Sequence, residues 1–316
     1  MTISFRPAKR EHTPLVIGLA GPTKSGKTFS AHRLARGLAG DGTVAFINAE
    51  GAKGHQYDDK FPSITVDIEV PFRPERYTEH LQAALALDPA VVIIDSGSHM
   101  HDGPGGILDY HEDELDRLAG ADYKKRERAT WTAWVKPKAA ENQFIYAMLA
   151  ADCHIILCLR AKEKIKIVKG KEPVDLGWQP IVGERVAFET IFTLLLPPHS
   201  KGVPDLSISE MREPFDSLIP AGEQLSEETG RKLAAWAAGG QAGASAPLLP
   251  DASASQPSIA DAIALADRIL AQVAPDKRDA VVTAIAANRE KHSDDPVAHV
   301  AWLESQLAKF AETVTA

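Results

Sequence analysis

The chain is poor in cysteine, in aromatic residues (6%) and in long apolar runs. Its two cysteines, Cys153 and Cys158, lie in or beside one apolar stretch. Along a strand, residues five apart face opposite sides, so we expect buried free thiols in a reducing compartment and no disulfide. No apolar segment approaches the roughly 20 residues that cross a bilayer. Since a signal-peptide core is also lacking at the first residues, a soluble, cytoplasmic protein is predicted.

Positive charge is scarce as well. Lysine and arginine number 35 against 43 aspartate and glutamate residues, which gives a net charge of -8. This balance argues against indiscriminate binding of nucleic acid by the whole surface. Basic residues are concentrated in two segments, residues 124–128 and 160–171, where any contact with a polyanion is expected.

The length and the 44% hydrophobic content predict one large α/β core with an appendage. The apolar patterns favour strands at residues 14–20, 43–49, 63–68, 90–95, 153–159 and 189–196, and helices at residues 27–39, 74–87 and 123–150. Strands that alternate with helices predict a mainly parallel sheet flanked by helices. Hairpins are expected at residues 164–182 and 194–210, and Ser226 is expected to cap a final core helix.

Composition divides the chain into four segments. Residues 1–13 form a polar N-terminal arm, and residues 14–238 form the α/β core. Residues 239–257 are rich in Gly, Ala, Ser, Pro and Gln with almost no charge, which is typical of a flexible linker. The apolar spacing in residues 258–316 predicts a small all-α module of about three helices.

One motif carries most of the chemical information. The apolar run 15–20 leads into residues 21–28, which fill every fixed position of GxxxxGK[ST], and a helical pattern follows. In such a loop, backbone N–H groups hold phosphates, Lys27 reaches the β and γ phosphates, and the Thr28 hydroxyl holds Mg²⁺. The candidate nucleotide-binding residues are Gly21, Pro22, Thr23, Lys24, Ser25, Gly26, Lys27, Thr28 and Phe29.

Two carboxylates follow predicted buried strands. Asp95 ends the run Val-Val-Ile-Ile and is expected to support Mg²⁺ through water or through the Thr28 hydroxyl, so Thr28 and Asp95 are the candidate metal residues. Ser96 comes next, where many ATPases have the glutamate that activates water. Glu50, after the strand at residues 43–49, is therefore the candidate base, with a capping or solvated carboxylate as the alternative.

Together these motifs carry a family resemblance. Gly-Pro-x-x-Ser-Gly-Lys-Thr, then Phe-Ile-Asn-Ala-Glu at residues 46–50, then four apolar residues with Asp95-Ser96, resemble the core of bacterial RecA recombinase. More closely, residues 14–238 resemble phage-encoded RecA-like P-loop ATPases of the AAA/ASCE type, which include single-strand annealing and recombination proteins. The resemblance implies ATP hydrolysis with Mg²⁺, assembly into rings or filaments, single-stranded DNA as partner, and the cytoplasm of a bacterial host.

Cations follow another predicted strand. Arg160 is a candidate sensor of the γ phosphate, and Lys162 or Lys164 is a candidate finger that completes a neighbouring subunit's site. A solvated basic hairpin is the open alternative. The candidate catalytic residues are thus Lys27, Glu50, Arg160 and Lys164.

The segment at residues 97–130 departs from the RecA pattern and is predicted to be a mobile loop with glycine hinges near the γ phosphate. A metal site is a less favoured alternative there, because no ligand spacing supports it. Its candidate ligands would be His99, His101, His111, Asp109, Glu112 and Asp113.

Two aromatic residues and a short motif leave further alternatives. Trp131 and Trp134, interleaved with Lys136 and Lys138, could stack DNA bases, but their helical spacing favours burial in the core. Phe-x-x-Ala at residues 5–8 is similar to a peptide by which some recombinases dock onto the next subunit. The hypothesis is that this segment mediates self-assembly of the chain.

Other classes of protein also use a phosphate loop. A nucleotide-gated adaptor or loader, docking a protein partner through the tethered helical module, is the main alternative. A small-molecule phosphotransferase would have an Arg-rich lid, and the sequence shows none. A partition-type ATPase is disfavoured because its signature lysine would fall at Pro22.

Overall fold

The computed structural model describes residues 12–166, 172, 174–239, 278–291, 302–303 and 305–306. The chain divides into two compact units, Met1–Ala242 and Gly243–Ala316. The predicted self-assembly motif at residues 5–8 lies outside the described residues, as does all but Gly239 of the predicted linker. In the second unit the structure describes one long helix, and the predicted three-helix module stays a prediction.

A seven-stranded sheet forms the centre of the first unit. Six strands run parallel in the order β3-β2-β4-β5-β1-β7, and β6 pairs antiparallel with the far end of β5. The strands are β1 (Val16–Gly21), β2 (Val44–Asn48), β3 (Ile64–Asp67), β4 (Val91–Asp95), β5 (His154–Lys166), β6 (Val174–Pro180) and β7 (Phe192–Leu195). The prediction of an α/β protein with a mainly parallel sheet is confirmed.

Helices cover both faces of this sheet. In chain order they are α1 (Lys27–Ala39), α2 (Pro74–Leu85), α3 (Ser98–Asp102), α4 (Ile107–Ala119), α5 (Tyr123–Ala133), α6 (Val135–Leu149), α7 (Glu184–Phe188), α8 (Phe215–Leu218) and α9 (Glu227–Ala237), while α10 (Arg278–Lys291) belongs to the second unit. A short 3₁₀ helix, Gly51–Tyr57, which we call the 3₁₀ turn, follows β2. None of the described helices is long and apolar enough to cross a membrane.

The core has two apolar clusters because the buried strands have apolar side chains on both sides. One cluster packs α2 and α6 against the sheet, with Tyr77 and Phe144 among its fully buried side chains. The other packs α1 and α9 against the opposite face through residues such as Leu34 and Leu233. Cys153 and Cys158 are buried free thiols, as predicted.

The prediction of a mobile loop at residues 97–130 is wrong over most of that segment, because it contains α3, α4 and the start of α5. The buried residues Ile107, His111 and Leu115 recur at four-residue spacing along α4, a helical signal that the glycines around it obscured. Asp122 then caps α5 by accepting a hydrogen bond from Lys125 N (3.1 Å).

The prediction that Trp131 and Trp134 are both buried in the core is also wrong. Trp131 is 82% exposed, whereas Trp134 is half-buried and stacks on His111 with ring centroids 4.1 Å apart. The helical pattern at residues 123–150 divides at Trp134 into α5 and α6, so the two rings no longer share one helical face.

The hairpin expected at residues 164–182 is confirmed by the antiparallel pairing of β5 with β6, although residues 167–171 and 173 between the two strands lie outside the described residues. The second hairpin, at residues 194–210, is reduced to an isolated bridge between Thr193 and Glu210. Ser226 caps α9 as predicted, through a reciprocal capping box with Thr229.

Candidate functional site

The loop between β1 and α1 is a tight turn supported from behind. Ser25 N donates a hydrogen bond to Pro22 O (3.3 Å), and Gly202 N donates to Ser25 O (2.7 Å). Gly26 has a φ of 99°, and a Cβ there would lie 2.6 Å from Gly202 N. Glycine is therefore required at position 26, since a side chain would be strained and would also collide with the supporting loop.

Lys27 begins α1, and its side chain folds back over the loop. Its Nζ donates hydrogen bonds to Gly21 O (2.8 Å) and Pro22 O (2.9 Å). Burial lowers the pKa of Lys27, an effect that nearby acidic groups, including Asp95, oppose. Because the first N–H groups of a helix lack intrahelical acceptors, this ammonium and the start of α1 both favour an anion at the loop.

Thr28 and Asp95 are joined directly although they lie on different elements. The Thr28 Oγ1 hydroxyl donates a hydrogen bond of 2.5 Å to Asp95 Oδ2. Asp95 ends β4, which is separated from β1 by β5, and only 2% of it is exposed. Burial raises the pKa of Asp95, while the hydrogen bond from Thr28 and the charge of Lys27 act in the opposite direction.

These oxygens fit a hard divalent cation that is held mainly by its substrate. Hydroxyl and carboxylate oxygens are the donors that Mg²⁺ prefers, and it keeps waters and phosphate oxygens as its other ligands. No group of three or more His, Cys, Asp or Glu suited to a metal occurs among the residues that the structure describes. Thr28 and Asp95 could therefore hold Mg²⁺ together with a phosphate chain.

Glu50 lies two residues beyond β2 and faces a cation from β5. Arg160 Nη2 lies 3.2 Å from Glu50 Oε1 and 3.4 Å from Glu50 Oε2. The backbone of Arg160 is held in turn, since its N donates to Ser98 Oγ (2.8 Å). His99 Nδ1 lies 3.8 Å from Glu50 Oε1. Burial and the neighbouring Arg160 lower the pKa of His99, which favours a neutral imidazole beside the carboxylate.

Asn48 shapes the turn that presents Glu50, a role that the sequence did not indicate. This fully buried amide donates to Gly51 O (2.9 Å) and Asp67 Oδ1 (2.6 Å), and accepts from Glu50 N (3.0 Å). Gly54 packs so closely on it that a Cβ would lie 2.0 Å from Asn48 Oδ1. The one sequence signal for this role is that Asn48 is a polar residue at the end of a buried apolar strand.

One cavity of 470 Å³ brings most of the predicted site together. Its walls are Thr23, Lys24, Gly26, Lys27, Thr28, Phe29, Glu50, Lys53, Gly54, Gln56, Tyr57, Asp95 and Arg160. Lys53, Gln56 and Tyr57, on the 3₁₀ turn, were missed from sequence, although they directly follow Glu50. Ring contacts tie this turn to α1, since Phe29 and Tyr57 meet edge to face at 5.3 Å.

The remaining candidate cations lie outside this cavity. Lys162 lines an adjoining cleft of 450 Å³ that shares Arg160 with the cavity, and Lys164 is exposed farther along β5. Their assignment as fingers stays a prediction. The histidines of the alternative metal site lie in different surroundings, with His99 packed on Phe72 and His111 stacked on Trp134.

The arrangement suits the binding of a phosphate chain and the orientation of water. A helix N-terminus and a lysine face an anion, a hydroxyl–carboxylate pair suits a divalent cation, and a second carboxylate lies in the same cavity. No protein-family model matches the chain, and no curated protein matches it at the level that would indicate kinship.

Proposed function

We propose that the chain is a RecA-like P-loop ATPase that hydrolyses ATP with Mg²⁺ and acts on single-stranded DNA in phage recombination or annealing. It would work as a ring or filament in the bacterial cytoplasm. The observation that carries the nucleotide part is the 2.5 Å hydrogen bond from Thr28 to Asp95, in a cavity shared with Lys27 and Glu50. The DNA and assembly parts rest on the motif resemblance.

In this proposal the residues at the start of α1 bind the phosphates. The β and γ phosphates lie against the backbone of residues 21–28, and Lys27 Nζ exchanges its two carbonyl acceptors for phosphate oxygens. Mg²⁺ held by Thr28 and Asp95 would neutralise charge that develops on the β and γ oxygens.

Glu50 orients the attacking water and accepts its proton, while the water oxygen bonds to the γ phosphorus and the bond to the bridging oxygen breaks. Asn48 holds the backbone of Glu50 in place. In this proposal Arg160, whose guanidinium lies within 3.4 Å of both Glu50 oxygens, also binds the γ phosphate.

The first prediction concerns Glu50→Gln and Lys27→Ala. The glutamine cannot take the proton, so we expect Glu50→Gln to bind ATP·Mg²⁺ normally and to lose hydrolysis by about a hundredfold or more. Lys27→Ala removes the phosphate-binding cation and should lose both binding and hydrolysis. Calorimetry with ATP·Mg²⁺ and a phosphate-release assay measure the two properties.

Glu79→Gln, an exposed glutamate on α2, is the matched control and should hydrolyse ATP like the wild type. Wild-type turnover by Glu50→Gln would reject its role as base. The absence of ATP·Mg²⁺ binding by the wild type would reject the whole proposal. Adding single-stranded DNA tests the adaptor alternative, which predicts hydrolysis that depends on a protein partner and is unaffected by DNA.

A further inference from the structure

The outward face of α5 combines an exposed indole with exposed cations. Trp131 is 82% exposed, and Lys124 and Arg128 are exposed as well. Their spacing of i, i+4 and i+7 places the three side chains along one stripe of the helix. We call these three residues the α5 outer face.

The opposite face of α5 is the one that packs. Ala133 is 1% exposed, and Arg126 bonds Glu112 (2.6 Å) and Asp116 on α4. His111 on α4 also hydrogen-bonds Thr130 O (3.2 Å). Because these contacts fix the orientation of the helix, the outer face is turned away from α4 and its indole has no packing role there.

Charge points to a polyanion as the occupant of this face. Residues 123–138 contain six cations and one anion, Glu127, in a chain whose net charge is -8. Several of these cations are engaged, as Arg126 is with α4 and Lys136 is with Glu114 (2.9 Å). Within the part of the chain that the structure describes, Lys124 and Arg128 make no ion pair, so both are available to phosphates.

We propose that the α5 outer face binds single-stranded DNA, with a base stacked on Trp131 and backbone phosphates bound by Lys124 and Arg128. An exposed indole offers a π-face to an unpaired base, and neighbouring cations offset phosphate charge. This inference rests on the proposed action on DNA and names a surface for it. Duplex DNA keeps its bases stacked internally, so it should bind this face more weakly.

The test uses fluorescence anisotropy of the full-length protein with fluorescein-labelled oligothymidylate. Trp131→Ala should weaken binding about tenfold. Trp131→Phe keeps an aromatic ring and should weaken binding by less than that. The double variant Lys124→Gln/Arg128→Gln should reduce the slope of log affinity against log salt by about 1.4, since about 0.7 is contributed by each phosphate contact.

Two controls match these changes. Phe188→Ala removes a ring that is 80% exposed on α7, and Lys232→Gln removes an exposed cation on α9; both should bind DNA like the wild type. Melting curves by circular dichroism verify that each variant is folded. Trp131→Ala that binds as well as the wild type overturns the inference.

Two other results would overturn it as well. One is a wild-type chain that does not bind the oligonucleotide, and the other is a change in sedimentation of Trp131→Ala without DNA, which would mark the face as a contact between protein chains. Phosphate release by the wild type without DNA is measured in parallel. Oligonucleotide binding that Trp131→Ala leaves unchanged rejects the α5 outer face alone, whereas a wild type that hydrolyses ATP without binding the oligonucleotide also rejects the proposed action on DNA. Absent hydrolysis rejects the proposed ATPase activity.

Discussion

Asn48 shows how one buried amide can position a reacting carboxylate by bonding the backbone of the same residue, without contacting the carboxylate itself. It makes hydrogen bonds to the backbone on both sides of the Glu50 turn and to Asp67, which His55 Nε2 also contacts at 3.0 Å. Replacing it removes the hydrogen bonds to Glu50 N and Gly51 O that hold the turn, so the turn would relax. In the proposed mechanism, Asn48 is a positioning residue for Glu50.

For Asn48→Ala we therefore predict a fall in kcat of between about tenfold and a hundredfold with a small change in KM for ATP. The free energy of unfolding should fall by about 1–3 kcal/mol. Steady-state phosphate release below the melting transition separates the two effects. Asn142→Ala, which removes an amide that bonds Arg185 on the surface, is the control and should leave kcat unchanged. A purely structural role would lower the melting temperature alone.

At the level of elements, the contact between α1 and α9 holds the helix that presents Lys27 and Thr28. Gly37 and Gly230 let the backbones approach closely, and a Cβ on Gly230 would lie 2.4 Å from Leu34 O. Arg33 and Glu227 fasten one edge of this contact, with Nη2 and Oε2 2.7 Å apart. Replacing Gly37 or Gly230 with a larger residue should therefore displace α1.

Gly230→Ala should destabilise the protein by about 1–3 kcal/mol, because the added methyl group cannot fit without separating the helices. The sign of the change in the free energy of unfolding tests the close contact. At an exposed interior position of a helix, alanine would instead stabilise by about 1 kcal/mol relative to glycine. Urea unfolding measures the change. Lys232→Ala, on the exposed side of the same helix, should change stability little. A more stable Gly230→Ala would contradict the close contact.

For the first unit as a whole, two buried histidines link folding to pH. His32 stacks on Phe61 (5.4 Å), and neither of its ring nitrogens has a hydrogen-bond partner among the described residues. Burial lowers the pKa of His32 to about 4 and that of His154 to about 4. Between their unfolded value near 6.5 and about 4, the unfolded chain binds more protons, so stability should fall as the pH falls.

His32→Phe keeps an aromatic ring in the same cluster and removes the titration. We expect the fall in the free energy of unfolding between about pH 6.5 and pH 4 to become shallower by up to about 1.4 kcal/mol per pH unit. Urea unfolding at several pH values measures this slope. His199→Asn, in an exposed loop, serves as control. An unchanged slope in His32→Phe would show that other groups govern the acid sensitivity.

Much of the candidate site could be predicted because its signals are local. Lys27 and Thr28 lie in a contiguous motif, and Asp95, Glu50 and Arg160 each follow a buried apolar run whose carboxyl end could be read along the chain. Asn48 could not be assigned, since its role depends on hydrogen bonds to residues on the next turn and strand. The sequence does not predict α4 clearly, because the neighbouring glycines favour a loop more strongly than its apolar spacing favours a helix.

The order of residues by itself determined the strand and helix pattern, the turn from β1 into α1, and the acidic groups at the strand ends, because these follow from side-chain alternation and short-range backbone preference. Only the tertiary structure decided that β5 lies between β1 and β4, that Thr28 and Asp95 meet across that gap, and that Trp131 faces outward. Strand order and helix orientation result from packing two helical layers on one sheet, and this packing joins residues that are far apart in the chain.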